Sequence, residues 1–288
     1  MAEPEWLTEK FEEQRPRLRA VAYRMLGSLS EADDAVQEAW LRLSGAAYTE
    51  VDDLSAWLTT VVARISLNTL RSRKTRSEAY GPDVILDRAD GPSPEHAALL
   101  ADTLGLALLV VLETLPPPER VAFVLHDVFG LPFEEIAPIV ERSADAARQL
   151  ASRARRRVQA RNATPDVDVE AQRSVVDAFL AAAQNGDFQQ LVAVLDPEVV
   201  LRGDSGAAGS TEVRGAEQVA RRAQSFSRAG LLRHQVLVNG TAGLLCTREG
   251  KPFSVMAFTV TAGKIAEIHV LHDPERLSHL DLSIVGDV

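Results

Sequence analysis

The sequence has little cysteine and no long apolar run. Its 288 residues include one cysteine, Cys246, which excludes an internal disulfide and any zinc site built from several cysteines. The longest apolar run, residues 104–112, is too short to span a bilayer. The N-terminal residues are acidic and lack the apolar stretch of a signal peptide. We therefore expect a cytoplasmic protein with no membrane partner, no bound metal and no other cofactor.

Positive charge is in the minority, but it is concentrated in two segments. The chain has 31 lysines and arginines against 41 aspartates and glutamates, a net charge of −10. Residues 54–77 nevertheless carry five basic side chains and no acid. Residues 142–161 carry seven arginines and a single acid, Asp145. Two basic segments in an acidic protein indicate two local contacts with a polyanion such as DNA.

Composition divides the chain into three domains. Residues 77–95 hold three prolines, two glycines and five acids, which is typical of a linker. A shorter break follows at 162–168. We expect an all-helical domain over 1–76, a second all-helical domain over 96–162 and a third domain over 163–288. The predicted fold class is therefore multidomain, with two helical domains and a C-terminal α+β domain.

Two helices predicted in the first domain carry polar faces of opposite character. In EADDAVQEAWLRL, the residues Val36, Trp40 and Leu43 recur with the spacing of one buried helix face. The opposite face is acidic and polar, and it consists of Asp34, Gln37, Glu38 and Leu41. In the following helix, one face carries the polar residues Arg64, Asn68 and Arg71 at helical spacing. The first helix therefore offers an acidic surface and the second a basic surface.

The second domain ends in a candidate helix-turn-helix motif. The segment PFEEIAPIV predicts a short helix, ERS predicts a tight turn, and Ser143 is a candidate N-cap for a second helix. Pro138 removes one hydrogen bond from the first of these helices, and Arg142 stands where such turns often carry glycine. An exposed helix with a solvated charged face is the alternative interpretation of the second helix.

The outward face of that second helix predicts how it would bind DNA. In a helix-turn-helix motif the second helix enters the major groove, where arginine and glutamine bind guanine and adenine edges. The polar residues of this face are Ser143, Arg148, Gln149, Ser152, Arg153 and Arg156. We expect base contacts from Arg148, Gln149 and Arg153. We expect phosphate contacts from Arg155, Arg156 and Arg157.

The third domain changes from helices to strands. Two helical segments and a short strand come first, and from Leu231 onward strands alternate with hairpin turns at 239–243, 248–251 and 262–264. This pattern predicts a curved antiparallel sheet with helices on one face. Asp204 and His234 are candidate residues of a ligand pocket in this domain, and a structural role is the alternative for its histidines.

Three stretches together resemble one protein family. They are EADDAVQEAWLRL, AWLTTVVARISLNTLRSRKTR, and LPPPERVAFVLHDVFGLPFEEIA followed by RSADAARQLASRARRRV. In this order, over residues 10–162, they resemble the extracytoplasmic-function sigma factors of bacterial RNA polymerase. The resemblance implies that the first domain binds core polymerase and the −10 promoter element, and that the second domain binds the −35 element.

The resemblance also implies roles for individual residues. It places Asp34, Gln37, Glu38 and Leu41 against the polymerase. It places the −10 contacts on Arg64, Asn68, Arg71 and Lys74. It places the −35 contacts on the second helix of the helix-turn-helix motif. The segment GAAYTEVDD, residues 45–53, would hold the loop that captures a flipped −10 base.

The third domain resembles the cone-shaped fold of SnoaL-like proteins, which are related to nuclear transport factor 2. Two of its segments, GDSGAAGS at 203–210 and DPERL at 273–277, resemble signatures of sigma factors with such an appended domain. The resemblance implies that this domain modulates the sigma domains, with a small molecule as a candidate ligand, and that the chain is not an enzyme. Two alternatives stay open: a ligand-responsive helix-turn-helix regulator, and a SnoaL-like cyclase or isomerase with a DNA-binding adaptor.

Overall fold

The computed structural model describes residues 5–45, 53–76, 81–99, 105–160, 166, 168–206, 209–227 and 230–283. The chain forms two compact units. The first unit consists of residues 1–83 and 109–160, and the second consists of residues 84–108 and 161–288. The two predicted helical domains thus fall largely in one unit, and part of the predicted linker belongs to the other.

The first unit begins with three packed helices, α1 (Glu5–Leu26), α2 (Leu29–Gly45) and α3 (Leu54–Arg76). Val36 and Leu43 of α2 are buried, and the ring of Trp40 packs 4.8 Å from that of Phe11, as the apolar spacing predicts. Gly27 connects α1 to α2 in a left-handed conformation, with φ of 72°. A Cβ atom there would lie 3.0 Å from the Glu113 carboxylate, so the site also lacks room for a side chain.

Among the described residues, the second half of the first unit contains four further helices, and the first of them begins in residues of the second unit. They are α5 (Gly105–Glu113), α6 (Pro117–Phe123) with its continuation in a wider π-helical turn (Val124–Val128), α7 (Phe133–Val140) and α8 (Ala144–Gln159). Pro117 is the first residue of α6, where a missing N–H costs nothing. The buried face of α8 consists of Ala147, Ala151, Ala154 and Val158. Three small alanines at helical spacing let α8 lie close to α6 and α7.

The predicted turn between α7 and α8 is present, with one difference. Ser143 caps α8, and its hydroxyl accepts a hydrogen bond from the backbone N–H of Ala146 at 3.2 Å. The residue in the left-handed conformation is Glu141, with φ of 58° and ψ of 46°, one position before Arg142, which stands where such turns often carry glycine. Pro138 lies inside α7, which ends two residues later. The short helix therefore accommodates the proline near its C-terminal end.

The second unit is an α+β domain. Its remaining elements in chain order are β1 (Leu86–Arg88), α4 (Pro94–Leu99), α9 (Val169–Asn185), α10 (Phe188–Val194), β2 (Leu195–Asp204), β3 (Ser210–Arg214), α11 (Ala216–Ser227), β4 (Leu232–Val238), β5 (Thr241–Arg248), β6 (Lys251–Thr261), β7 (Lys264–Leu271) and α12 (Pro274–Ser278). The sheet order is β1-β4-β5-β6-β7-β2-β3. All neighbours are antiparallel except β2 and β7, which are parallel. The predicted helices, sheet and hairpins are confirmed, whereas the parallel pair and the short strands β1 and β3 were not predicted.

Helices α9, α10 and α11 cover one face of the sheet. The space between them is filled by apolar side chains, among them Val176, Phe179, Leu244, Phe258 and Ile268. The rings of Phe179 and Phe258 meet edge to face with centroids 5.8 Å apart. The face of the sheet toward the helices is therefore a packed core.

The segment predicted as a plain linker, residues 77–95, contributes to this sheet. Strand β1 pairs with β4, and the N–H of Asn239 donates to the carbonyl of Ile85 at 2.9 Å. Asp87 is buried, and it accepts hydrogen bonds from the N–H of Ser93 at 2.9 Å and from Nδ1 of His96 at 2.8 Å. A three-residue strand is too short to show periodicity, which is why composition alone indicated a linker.

Candidate nucleic-acid interface

The acidic face of α2 is exposed in the first unit. Asp34, Gln37, Glu38 and Leu41 all point to solvent, and Leu41 is 62% exposed. Glu38 forms an ion pair with Arg42 one turn further on. The whole face that was expected to contact the polymerase is therefore exposed in the first unit.

Helix α3 has a capped N-terminus, and its basic face begins about three turns further on. The Asp53 carboxylate accepts a hydrogen bond from the N–H of Ala56 at 3.0 Å. Arg64, Asn68 and Lys74 are exposed and Arg71 is half-buried. Since positions 64, 68, 71 and 74 recur every three or four residues, these side chains form one stripe along the helix. Residues 46–52, which hold most of the loop expected to capture a flipped base, lie outside the described residues.

One arginine of the same basic segment belongs to the interior. The Arg73 side chain is only 13% exposed and forms an ion pair with Glu31 of α2. Its guanidinium also donates to the carbonyl of Leu26 at 2.8 Å. Arg73 therefore joins α3 to α2 and to the end of α1, and its charge is not available to a ligand.

The basic stripe of α3 touches the helix-turn-helix motif within the first unit. Nη2 of Arg64 donates to the carbonyl of Pro138 at 3.3 Å. Nη2 of Arg71 lies 3.4 Å from Oε2 of Glu141. Two of the four residues expected to contact the −10 element thus rest on the end of α7.

A buried arginine lies nearby in the same unit. Nη1 of Arg120, on α6, donates to the carbonyl of Met25 at 2.9 Å, while its Nε is buried without a hydrogen-bond partner. Burial lowers the pKa of Arg120 to about 10, and the charge of Arg73 adds to this effect. The packing of α6 against α1 therefore encloses an incompletely satisfied charge.

The outward face of α8 presents most of its polar residues to solvent. Arg148, Gln149, Arg153 and Arg156 are exposed, and Ser152 is half-buried. Nη1 of Arg148 donates to Asp145 at 2.6 Å. The hydroxyl of Ser143 already accepts the N-cap hydrogen bond of α8. The helix has the exposed, arginine-rich outer face that a major-groove reader requires.

Two arginines expected to bind phosphate each pair with a carboxylate of the same unit. Arg155 lies 2.5 Å from the Asp127 carboxylate in the π-helical turn. Arg157 lies 2.9 Å from the buried Glu119 of α6, and Arg153 lies 3.7 Å from the same carboxylate. Arg155 and Arg157 thus join α8 to its neighbours, and a phosphate contact from either of them stays a prediction. The third arginine expected to bind phosphate, Arg156, is exposed and forms no ion pair with a carboxylate of the described residues.

Asp204 and His234, predicted for a shared ligand pocket, are not brought together by the sheet. Leu201 and Leu244 belong to the core under the helices. Asp204 is three residues from Leu201, and His234 pairs with Leu245, the neighbour of Leu244, so both candidates face the other side of the sheet. Strands β5, β6 and β7 separate them, about 19 Å along the sheet at 4.8 Å per strand.

Asp204 instead connects the two signature segments of the third domain. Its carboxylate accepts from Nη1 of Arg276 at 2.5 Å, and its carbonyl accepts from the N–H of His272 at 2.7 Å. Gly206 adopts φ of 58°, and a Cβ atom there would lie 2.5 Å from Oδ2 of Asp273. The sequence contained both segments, but their contact depends on strand register. His234 has a separate environment, with Nε2 3.1 Å from Oγ1 of Thr247.

The same face of the sheet holds a buried ionic cluster. Nη1 of Arg202 donates to Glu267 at 2.8 Å, and Nε2 of His269 lies 3.0 Å from the other carboxylate oxygen. Burial opposes ionisation of Glu267, but the hydrogen bonds from His269 and Arg202 outweigh burial and lower the pKa of Glu267. The three groups satisfy one another, which favours a structural role.

Two kinds of site are missing from the part of the chain that the structure describes. Within it, no cluster of three or more histidine, cysteine, aspartate or glutamate side chains is arranged to hold a metal ion. No helix in those residues is both long enough and apolar enough to cross a membrane. Cys246 is buried, and burial raises the pKa of its thiol.

The chain is similar to known proteins over nearly its whole length. The family Sigma-70 region 2 matches residues 11–76, and the family Sigma-70, region 4 matches residues 105–158. The ECF RNA polymerase sigma factor SigJ of Mycobacterium tuberculosis (strain H37Rv) is 38% identical over 289 residues, covering 93% of this chain and 92% of SigJ. The probable ECF RNA polymerase sigma factor SigI of the same strain is 37% identical and covers 94% of this chain and 95% of SigI. The crystal structure of SigJ superposes with a TM-score of 0.76 at 35% identity, over 96% of this chain and 99% of that structure.

Proposed function

Because the chain belongs to the extracytoplasmic-function sigma factors of the sigma-70 family, we propose that it binds core RNA polymerase and directs transcription initiation at specific promoters. One observation carries this proposal beyond family membership. A single compact unit presents an acidic face on α2 together with basic faces on α3 and α8. A DNA-binding regulator that acts alone would require the basic faces but not the acidic one.

The three faces have different roles in this proposal. Asp34, Gln37, Glu38 and Leu41 of α2 bind the polymerase. Arg64, Asn68, Arg71 and Lys74 of α3 contact the −10 element. The face of α8 contacts the −35 element, with bases read by Arg148, Gln149 and Arg153 and a phosphate bound by Arg156. Core and −10 binding are assigned to residues 1–76, −35 binding to 96–162 and a regulatory role to 163–288.

Contact with both promoter elements requires the first unit to open. The −10 and −35 elements are about 25 base pairs apart, which is about 85 Å of duplex at 3.4 Å per base pair. A compact unit of about 130 residues is roughly 35–40 Å across. Since α3 contacts α7 and α7 packs against α8, the two DNA-binding faces cannot span that distance together. We propose that docking on polymerase releases the contact between α3 and α7.

The α+β domain acts in this proposal as a regulator without chemistry of its own. Its core under the helices is filled by apolar side chains, and Asp204 and His234 lie apart on the other face of the sheet. An enzyme of this fold requires acid and base groups that converge on a substrate. A small-molecule ligand for this domain stays a prediction, and a cytoplasmic location follows from the proposed partners.

The proposal is tested by binding of the full-length chain to purified core polymerase. Substituting Gln37→Ala and Glu38→Ala together removes the polar centre of the α2 face, and we expect core binding to fall at least tenfold. The matched control substitutes Glu12→Ala and Glu13→Ala, two exposed acids on α1, and we expect it to bind as the wild type does.

Two other outcomes would replace the proposal. If the wild-type chain does not bind core but binds an operator tightly alone, it is a helix-turn-helix regulator. If Asp204→Ala or His234→Ala abolishes a measurable turnover while transcription is unchanged, the α+β domain is an enzyme with a DNA-binding adaptor.

A further inference from the structure

A stack of side chains in the helix-turn-helix motif ends at Arg148. The rings of His126 and Phe133 are stacked, with centroids 3.9 Å apart and planes 30° apart. The guanidinium carbon of Arg148 lies over the ring of Phe133, 5.1 Å from its centroid. The ring of Phe133 therefore contacts both His126 and Arg148.

Each end of this stack makes a further hydrogen bond. Nδ1 of His126 donates to the carbonyl of Leu131 at 2.9 Å, which fixes the imidazole against the loop before α7. At the other end, Nη1 of Arg148 donates to Oδ1 of Asp145 at 2.6 Å. The guanidinium is thus held on its flat side by a ring and on one edge by a carboxylate.

The held guanidinium still has donors to offer. The Arg148 side chain is 55% exposed, and a guanidinium carries five N–H donors, of which the recorded bond to Asp145 uses one. An arginine that reads guanine presents two donors in the plane of the base. A free arginine must lose much rotamer freedom to do so, whereas an arginine already aligned loses less.

We propose that Phe133 and Asp145 are positioning residues that orient Arg148 to read one guanine of the −35 element. This inference rests on the proposed function, because it needs α8 to lie in the major groove. It makes Arg148 the main source of sequence discrimination on this helix. It also explains why an exposed acid stands in the first turn of a helix that binds a polyanion.

The test is selection of −35 sequences by the full-length chain with core polymerase from a duplex library randomised over the −35 region. Arg148→Gln should lower the preference at one base pair by about 5-fold or more. Phe133→Leu should lower the preference at that same base pair by about 2–5-fold. Phe133→Tyr keeps the ring and should keep the preference, and Asp145→Asn should lower it at the same base pair.

The matched control is Arg156→Gln on the same exposed face. It should weaken binding to all sequences uniformly and reduce the slope of log affinity against log salt by about 1. A shift confined to one base pair is therefore a readout that a loss of packing alone would not produce. Thermal unfolding of each full-length variant shows whether it folds.

The outcomes separate the inference from the proposed function. If Arg148→Gln changes the preference and Phe133→Leu and Asp145→Asn do not, the positioning inference is overturned and the function stands. If Phe133→Leu does not fold, an unchanged preference in Asp145→Asn overturns the inference by itself. If the wild type selects no −35 sequence with core polymerase, the proposed function fails and the inference fails with it.

Discussion

Glu141 allows a quantitative test of the contact between α3 and α7. It ends α7 in the left-handed conformation, and its carboxylate lies 3.4 Å from Arg71. A left-handed residue other than glycine costs about 1–2 kcal/mol. The ion pair joins side chains that are 40% and 68% exposed, so it contributes only about 0.2–1 kcal/mol.

Two substitutions separate these contributions. Glu141→Ala removes the ion pair but keeps the unfavourable backbone conformation, and it should destabilise the motif by about 0.2–1 kcal/mol. Glu141→Gly removes both, and after the greater chain entropy of glycine it should be more stable than the alanine variant by about 0.5–1 kcal/mol. Both variants remove the ion pair between Arg71 and Glu141, so both should increase binding to −10 DNA by a similar factor of about 2.

Hydrogen exchange at the start of α8 measures this difference locally. The amides of Ala146 and Ala147 bond to the side chain and the carbonyl of Ser143, two residues after Glu141. A difference of 0.5–1 kcal/mol corresponds to about 2–5-fold in the protection factor. Equal protection in the glycine and alanine variants would refute the argument from left-handed strain. Unchanged −10 binding in both would refute the argument that Glu141 restrains Arg71.

Two further predictions concern the α+β domain. Gly206→Ala places a Cβ atom 2.5 Å from the Asp273 carboxylate at a φ of 58°, so urea unfolding should show a loss of about 2 kcal/mol or more, whereas Gly263→Ala, at a similar φ of 72° but in open space, should lose less. The pKa of Glu267 is lower in the folded chain than in the unfolded chain, where it is near 4.5. Ionised Glu267 therefore stabilises the fold above pH 4.5, and this stabilisation is lost as the pH falls through the lower folded pKa. In Glu267→Gln, the free energy of unfolding should therefore fall less steeply below about pH 4.5 than in the wild type. The control Glu249→Gln, at an exposed position, should unfold in acid as the wild type does. Identical acid unfolding of the wild type and Glu267→Gln would contradict this prediction.

Local sequence patterns predicted most of the secondary structure. The apolar spacing in α2 and α8 identifies their buried faces, and the Asn-Gly pair at 239–240 identifies the β4–β5 hairpin, where both residues have positive φ. These features depend on neighbours within one helix or turn. The loop and short strand around β3 escaped prediction, because five exposed or half-exposed residues give no alternation of burial.

The pairing of individual side chains depends on distant partners. Arg71 and Arg73 are two residues apart in one basic segment, but Glu31 draws only Arg73 inward. Arg155 and Arg157 look like Arg156 in sequence, and they differ from it by pairing with Asp127 and Glu119, which lie on other elements. The separation of Asp204 from His234 follows from the order of five strands. Charge and helical position locate a binding face, but they do not say which of its cations are already paired.

The contacts of α3 differ in strength on its two sides, and this difference determines where the first unit should open. Toward α2, Arg73 makes a nearly buried ion pair and a bond to a backbone carbonyl. Toward α7, Arg71 makes an exposed ion pair, and Arg64 donates one long hydrogen bond. If the opening also exposed α6, water would hydrate Arg120, whose Nε has no hydrogen-bond partner among the described residues of the closed unit. This hydration would offset part of the free energy lost with the packing of α6. Binding at the α2 face should therefore carry α2 and α3 as one body away from the helix-turn-helix motif, and the Glu141 variants act on the weaker of the two contacts.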